Sequence, residues 1–127
     1  MKFKYKKSLS MLVILVILLS YSIIPVSASS DYYESTYNGY NYDCVSELST
    51  HILSGEMNYA GTNKICVEIE YEYYDSNLGG YYTGSVTSTF VTSSAFVWVP
   101  GTIDQYFTWS DYTYTISFNT VYFVELS

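Results

Sequence analysis

The chain has 127 residues with twelve acidic and five basic side chains, and the charges are segregated: Lys2, Lys4, Lys6 and Lys7 crowd the start, while every carboxylate lies at Asp31 or beyond. A chain of this size buries only about 60–65% of the surface its unfolded form exposes, enough for one modest core, so a two-domain enzyme is excluded. There is no arginine after residue 28 to read bases or clamp phosphates, which excludes nucleic acid as a partner.

Residues Met1 to Lys7 form a basic start and Met11 to Leu19 an apolar run, broken at Pro25 and followed by the small-residue site Val26-Ser27-Ala28. This is the pattern of a secretory signal peptide spanning residues 1–28, with cleavage expected after Ala28 and a secreted, extracellular product. Cleavage removes four of the five bases and none of the twelve carboxylates, leaving 99 residues with a formal charge of −11. The competing membrane anchor, Leu9 to Ile24, is interrupted by Ser10, Ser20 and Ser22 and falls short of the roughly 20 apolar residues a span requires. No stable membrane insertion is expected after cleavage. There is no Leu-x-x-Cys lipoprotein site, and Val124 to Ser127 carries no hydrophobic tail.

Residues 29–42 are rich in tyrosine without a sustained period and read as an extended segment ahead of a single β domain over residues 43–127. Asp43 to Leu53 admits two readings. Asp43 can cap a helix carrying Cys44, Leu48 and Ile52 on one side, with Gly55 past its end. Alternatively the run is a strand, and a hairpin about Gly55 would set Cys44 opposite Cys66 and Val45 opposite Ile65. The strand is favoured, because disulfide and buried face then agree in register. From Lys64 the alternation of Ile65, Val67, Ile69, Tyr71 and Tyr73 with Cys66, Glu68, Glu70, Glu72 and Tyr74 marks a strand with one wet face. Asp75 to Gly80 is dense in turn formers. Tyr82, Val86 and Phe90 continue on alternate positions, and Thr92-Ser93-Ser94 marks a bulge or corner before Ala95 to Val99. Pro100-Gly101 suits a type II turn. Two more alternating runs follow, Ile103, Phe107, Trp109 and then Tyr112, Tyr114, Ile116, Phe118, with Val121 to Leu126 as a last edge. The expected fold is all-β, a small antiparallel sandwich or open barrel of about six strands.

An even pair of cysteines in a small exported domain is expected to form a disulfide, here Cys44–Cys66. Catalytic patterns are absent. His51 is the sole histidine, with no Gly-x-Ser-x-Gly elbow to serve. Glu68, Glu70 and Glu72 stand about 7 Å apart on one strand face, and same-strand neighbours cannot bracket a glycosidic bond from opposite sides. Asp75 to Gly80 begins like a calcium loop, but the position that needs a bidentate glutamate is Val86. No metal, cofactor or enzymatic activity is expected. Fifteen of the 17 tyrosines follow residue 28, and tyrosine gives broad contact area at low rotamer cost. The expected function is therefore non-catalytic surface contact with cell-surface carbohydrate or another protein, through a binding surface of Tyr37, Tyr40 and Tyr42. The alternative is a diffusible bacteriocin-like effector, although a charge of −11 has the wrong sign for anionic membranes.

Overall fold

The computed structural model describes residues 28–127, so the expected signal peptide lies outside the described residues except for Ala28. The described chain is all strand and turn, without helix. Eight strands follow in order: β1 (Ser29–Tyr37), β2 (Tyr40–Leu48), β3 (Ile52–Tyr59), β4 (Ile65–Asp75), β5 (Gly80–Thr87), β6 (Ser94–Pro100), β7 (Gln105–Ile116) and β8 (Asn119–Leu126). They form two four-stranded antiparallel sheets, β1-β2-β3-β6 and β5-β4-β7-β8, packed face to face. This is the expected sandwich with eight strands rather than six.

Each difference has a local cause. The segment expected to lead into the domain is its first hairpin: β1 pairs with β2 from Ser29↔Leu48 to Tyr37↔Tyr40. Asn38 (φ 51°) and Gly39 (φ 80°) supply the two positive torsions that such a two-residue turn requires. Asp43 to Leu48 and Ile52-Leu53 are strand, as favoured, but the chain reverses at Thr50-His51 between them instead of at Gly55. Ser49 closes that turn, its amide donating to Ile52 O at 2.9 Å and its Oγ accepting from Ile52 N at 3.1 Å. Cys44 therefore pairs with Met57, and Cys66 stands in the other sheet, opposite Thr115.

The expected disulfide is not formed. Cys44 shares the inner face of the first sheet with Met57 and Ala95, whereas Cys66 alternates with the inward Ile65 and Val67 and so points out of the second sheet, its Sγ 3.4 Å from Ser88 O. Two side chains separated by a whole sheet cannot be bridged.

The remaining turns behave variously. Asp75 Oδ1 accepts from the amides of Asn77 and Leu78 at 2.9 and 3.0 Å, and Gly79 takes φ 72°, which makes the expected turn. Ser93 (φ 73°) forms the expected corner, where the chain passes from β5 in one sheet to β6 in the other. Pro100-Gly101 is not a type II turn: Gly101 lacks the positive torsion, and its amide donates to His51 O at 2.7 Å. The two late runs are one strand, β7, with a bulge at Thr108 where Glu72 faces Trp109 and Tyr73 faces Phe107. Phe118, read as the end of a run, sits in the β7–β8 turn at φ 65°.

Tyr112 and Tyr114 of β7 are fully buried between the sheets. Their hydroxyls cross the sandwich and donate to main-chain carbonyls of β2, Tyr112 to Glu47 O at 2.6 Å and Tyr114 to Val45 O at 2.9 Å. Ser110 and Ser46 donate to those hydroxyls in turn, at 3.0 and 2.6 Å. Gly55 makes room for them, since a Cβ there would lie 2.9 Å from Val67 Cγ1 and 3.3 Å from the Tyr112 ring.

Three outcomes follow from this core. Tyr114→Phe should cost about 1–3 kcal/mol in urea unfolding, because it strands the Ser46 hydroxyl and a carbonyl of β2. Gly55→Ala should cost a similar amount, about 1–3 kcal/mol, by overpacking. Both thiols should titrate in denaturant without reductant, and a reducing agent should leave the unfolding midpoint unchanged.

Candidate functional site

A sandwich of two open sheets presents two outer faces, and each collects side chains from four strands. On the second sheet the Thr108 bulge sets the pattern. With the extra residue, Phe107 turns inward, edge-on to Tyr71 at 5.5 Å, and Trp109 turns outward. Thr108 Oγ1 donates to Glu72 Oε1 at 2.8 Å and pins the bulge.

Cross-strand partners share a face. One outer row therefore reads Ser85–Glu70–Asp111–Glu125, and beside it runs Thr83–Glu72–Trp109. The Glu68/Glu70/Glu72 ladder does face outward, and across the sheet it meets two carboxylates that the single strand could not reveal. Trp109 divides two shallow hollows. One, of about 400 Å³, is lined by Glu70, Tyr71, Thr83, Gly84, Ser85 and Trp109; the other, of about 300 Å³, by Trp109, Asp111, Glu125, Leu126 and Ser127. Gly84 leaves its position to the Tyr71 phenol, which a Cβ would strike. Asp111 holds its proton more tightly than an ordinary aspartate, first through burial and then through the charges of Glu125 and Glu70. Among the described residues no group of three His, Cys, Asp or Glu is placed to hold a metal ion.

The outer face of the first sheet is also aromatic and acidic. Its rows are Ser30–Glu47–Ser54–Trp98, Tyr32–Val45–Glu56–Phe96 and Glu34–Asp43–Asn58–Ser94. Phe96 (54% exposed), Trp98 (50%) and Tyr32 (42%) stand at its two edges. Tyr32 donates to Glu34 Oε2 at 2.6 Å, and Asn58 donates to Asp43 Oδ1 at 3.0 Å. Glu47 is 8% exposed, and its Oε1 accepts no hydrogen bond among the described residues. Burial, with the charge of Glu56 adding, pushes its carboxyl up to about 7.

The three tyrosines expected as a surface are not one. Tyr42 is in the core, 4% exposed, donating to Val121 O at 3.2 Å. Tyr37 is half-buried, edge-on to Tyr59 at 6.2 Å, and accepts from Asn119 Nδ2 at 3.2 Å. Only Tyr40, 53% exposed, is available to a partner. His51 is held between its turn and β7, with Nδ1 2.7 Å from Gln105 O and its ring 5.1 Å from that of Tyr106.

The Glu47 shift has a measurable consequence. Its carboxyl binds a proton more tightly folded than unfolded, so this contribution to stability is complete below the unfolded value near 4.5 and is lost as pH rises through about 7. Glu47→Gln should remove that slope, on the order of 1–3 kcal/mol in chemical unfolding between about pH 4.5 and about pH 7.5.

No protein-family model, curated protein or solved structure matches this chain.

Proposed function

We propose that this protein is an exported, non-catalytic domain that binds neutral carbohydrate through the outer face of the second sheet. The observation that carries the reading is Trp109 between two hollows, with the hydroxyls of Thr83 and Ser85 on one side and carboxylates on both. A pyranose ring has an apolar face that stacks on an indole and a rim of hydroxyls that donate to carboxylates, and this surface offers both within two adjacent rows of side chains. Glu70, Trp109 and Asp111 are set on β4 and β7, the two central strands of the sheet, so these groups are already ordered before a ligand arrives. Glu70, Asp111 and Glu125 repel phosphate- and sulfate-bearing polymers, which favours uncharged sugars.

Screening the purified protein against an array of cell-surface glycans should return neutral oligosaccharides. Trp109→Ala should weaken the best of them about tenfold or more, equivalent to about 1.4 kcal/mol. Tyr40→Ala should leave binding unchanged. No glycan bound, or equal binding by Trp109→Ala, would overturn the reading.

A further inference from the structure

We propose that β6 is a dimerisation strand, which pairs antiparallel with β6 of a second copy of this chain and joins the two first sheets into one continuous sheet. The proposal goes beyond the carbohydrate reading and does not use the face that carries it.

The first observation is the open side of β6. It is an edge strand, bonded to β3 on one side only among the described residues. In an antiparallel ladder alternate residues direct their main-chain groups to opposite sides. Just past the two ends of the β3–β6 pairing, Tyr59 N donates to Ser93 O at 2.9 Å and Gly101 N to His51 O at 2.7 Å. With Gly55 opposite Val97 and Leu53 opposite Val99, the odd-numbered residues of β6 therefore bond to β3. The amides and carbonyls of Phe96 and Trp98 point to the open side.

The second observation is the distribution of charge among the edges. Edge strands are commonly blunted by charged side chains. β1 lies against β8 on one side of the sandwich and β5 against β6 on the other. The first side is blunted, by Asp31 and Glu34 on β1 and Glu125 on β8. The second is not: neither Gly80–Thr87 nor Ser94–Pro100 holds a charged side chain. Pro100 ends β6 but leaves its centre free, and Ala95-Phe96-Val97-Trp98-Val99 is rich in the β-branched and aromatic residues that favour strand pairing. Residues 28–127 hold twelve carboxylates against the single Lys64, so a second copy is repelled by both outer faces and meets no carboxylate along this side.

The register follows from the parity. Only even-numbered residues can exchange bonds across the new junction, and a twofold axis at Val97 sets Phe96 opposite the second copy's Trp98, and Trp98 opposite its Phe96. These rings, 54% and 50% exposed in one copy, then cover each other as cross-strand aromatic pairs. Glu56, which neighbours Phe96 on β3, stays at least three strand spacings from its own copy, about 14 Å, beyond the Debye length of about 8 Å at physiological salt. The contact is isologous, so it closes at two copies, and the acidic edges β1 and β8 do not extend it.

Sedimentation velocity on the purified protein should show monomer passing to dimer with a Kd of about 10–100 μM, since one strand contact is smaller than a standard interface. Between dilute and concentrated samples, amide exchange followed by NMR should slow about tenfold or more at Phe96 and Trp98, while the open-side amides of β5 keep their rates. Phe96→Glu should weaken association about tenfold or more. Phe123→Glu, the same change at a ring 49% exposed on β8, and Trp109→Ala should change it little. A protein still monomeric at about 1 mM, dimers in which the Phe96 and Trp98 amides exchange as fast as in the monomer, or equal losses from Phe96→Glu and Phe123→Glu would overturn the proposal. None of these outcomes bears on glycan binding at Trp109.

Discussion

The structure is organised by two phenol hydroxyls that cross the sandwich. Tyr112 and Tyr114 rise from β7 and donate to the carbonyls of Glu47 and Val45 on β2, which fixes the spacing of the sheets with hydrogen bonds as well as apolar contact. A bond buried in that environment costs its full desolvation when broken, so the pairing of those two strands is specified. Gly55 follows from it, since β3 must leave room where the rings pass. So do the two outer faces: β2 carries Glu47 outward and β7 carries Trp109 outward, each behind the same struts. In a small domain without a cross-link, this network does the fastening that a disulfide was expected to do.

Much of the fold was legible in the residues. The alternation from Ile65 to Tyr74, the aspartate-led turn at Asp75, the corner at Ser93 and the last edge strand each rest on a local signal, and each is found. The misplaced hairpin shows where local signals stop. A register that joined two cysteines was internally consistent, yet Asn38-Gly39, a strong two-residue hairpin signal, lay in the stretch read as a leader. Alternation also fails for β2, because Tyr42 to Leu48 is buried on both faces and shows no wet side to read. The parity of the inward aromatic residues changes between Phe107 and Tyr112, and that change is the trace of the Thr108 bulge.

The candidate faces were less visible than the fold for a physical reason. A sheet face is assembled across strands, so Glu70, Asp111 and Glu125 become neighbours only once β4, β7 and β8 are in register. Tyr37, Tyr40 and Tyr42 drew attention because they are close in sequence. Alternation then put Tyr37 and Tyr42 inward, and the hairpin tip left Tyr40 outside. Tyrosine abundance thus has two unrelated origins here: inward rings that need a hydroxyl partner, and outward rings at strand edges. The carboxylates sort differently, mostly outward, and with so few cations to answer them they give both faces one sign of charge.

A phenol that spans a core can donate only while it keeps its proton. Burial raises Tyr112 and Tyr114 well above an ordinary tyrosine, and Tyr122, which donates to Asp31 Oδ2 at 2.5 Å, is raised by burial and by that carboxylate. The folded state therefore holds these protons when the unfolded chain would release them, and its advantage declines as pH climbs past about 10. Glu47 and Asp111 lean the same way at lower pH. The molecule is thus built as a proton-retaining scaffold, with alkalinity the chemical stress to which its central fastening is most sensitive.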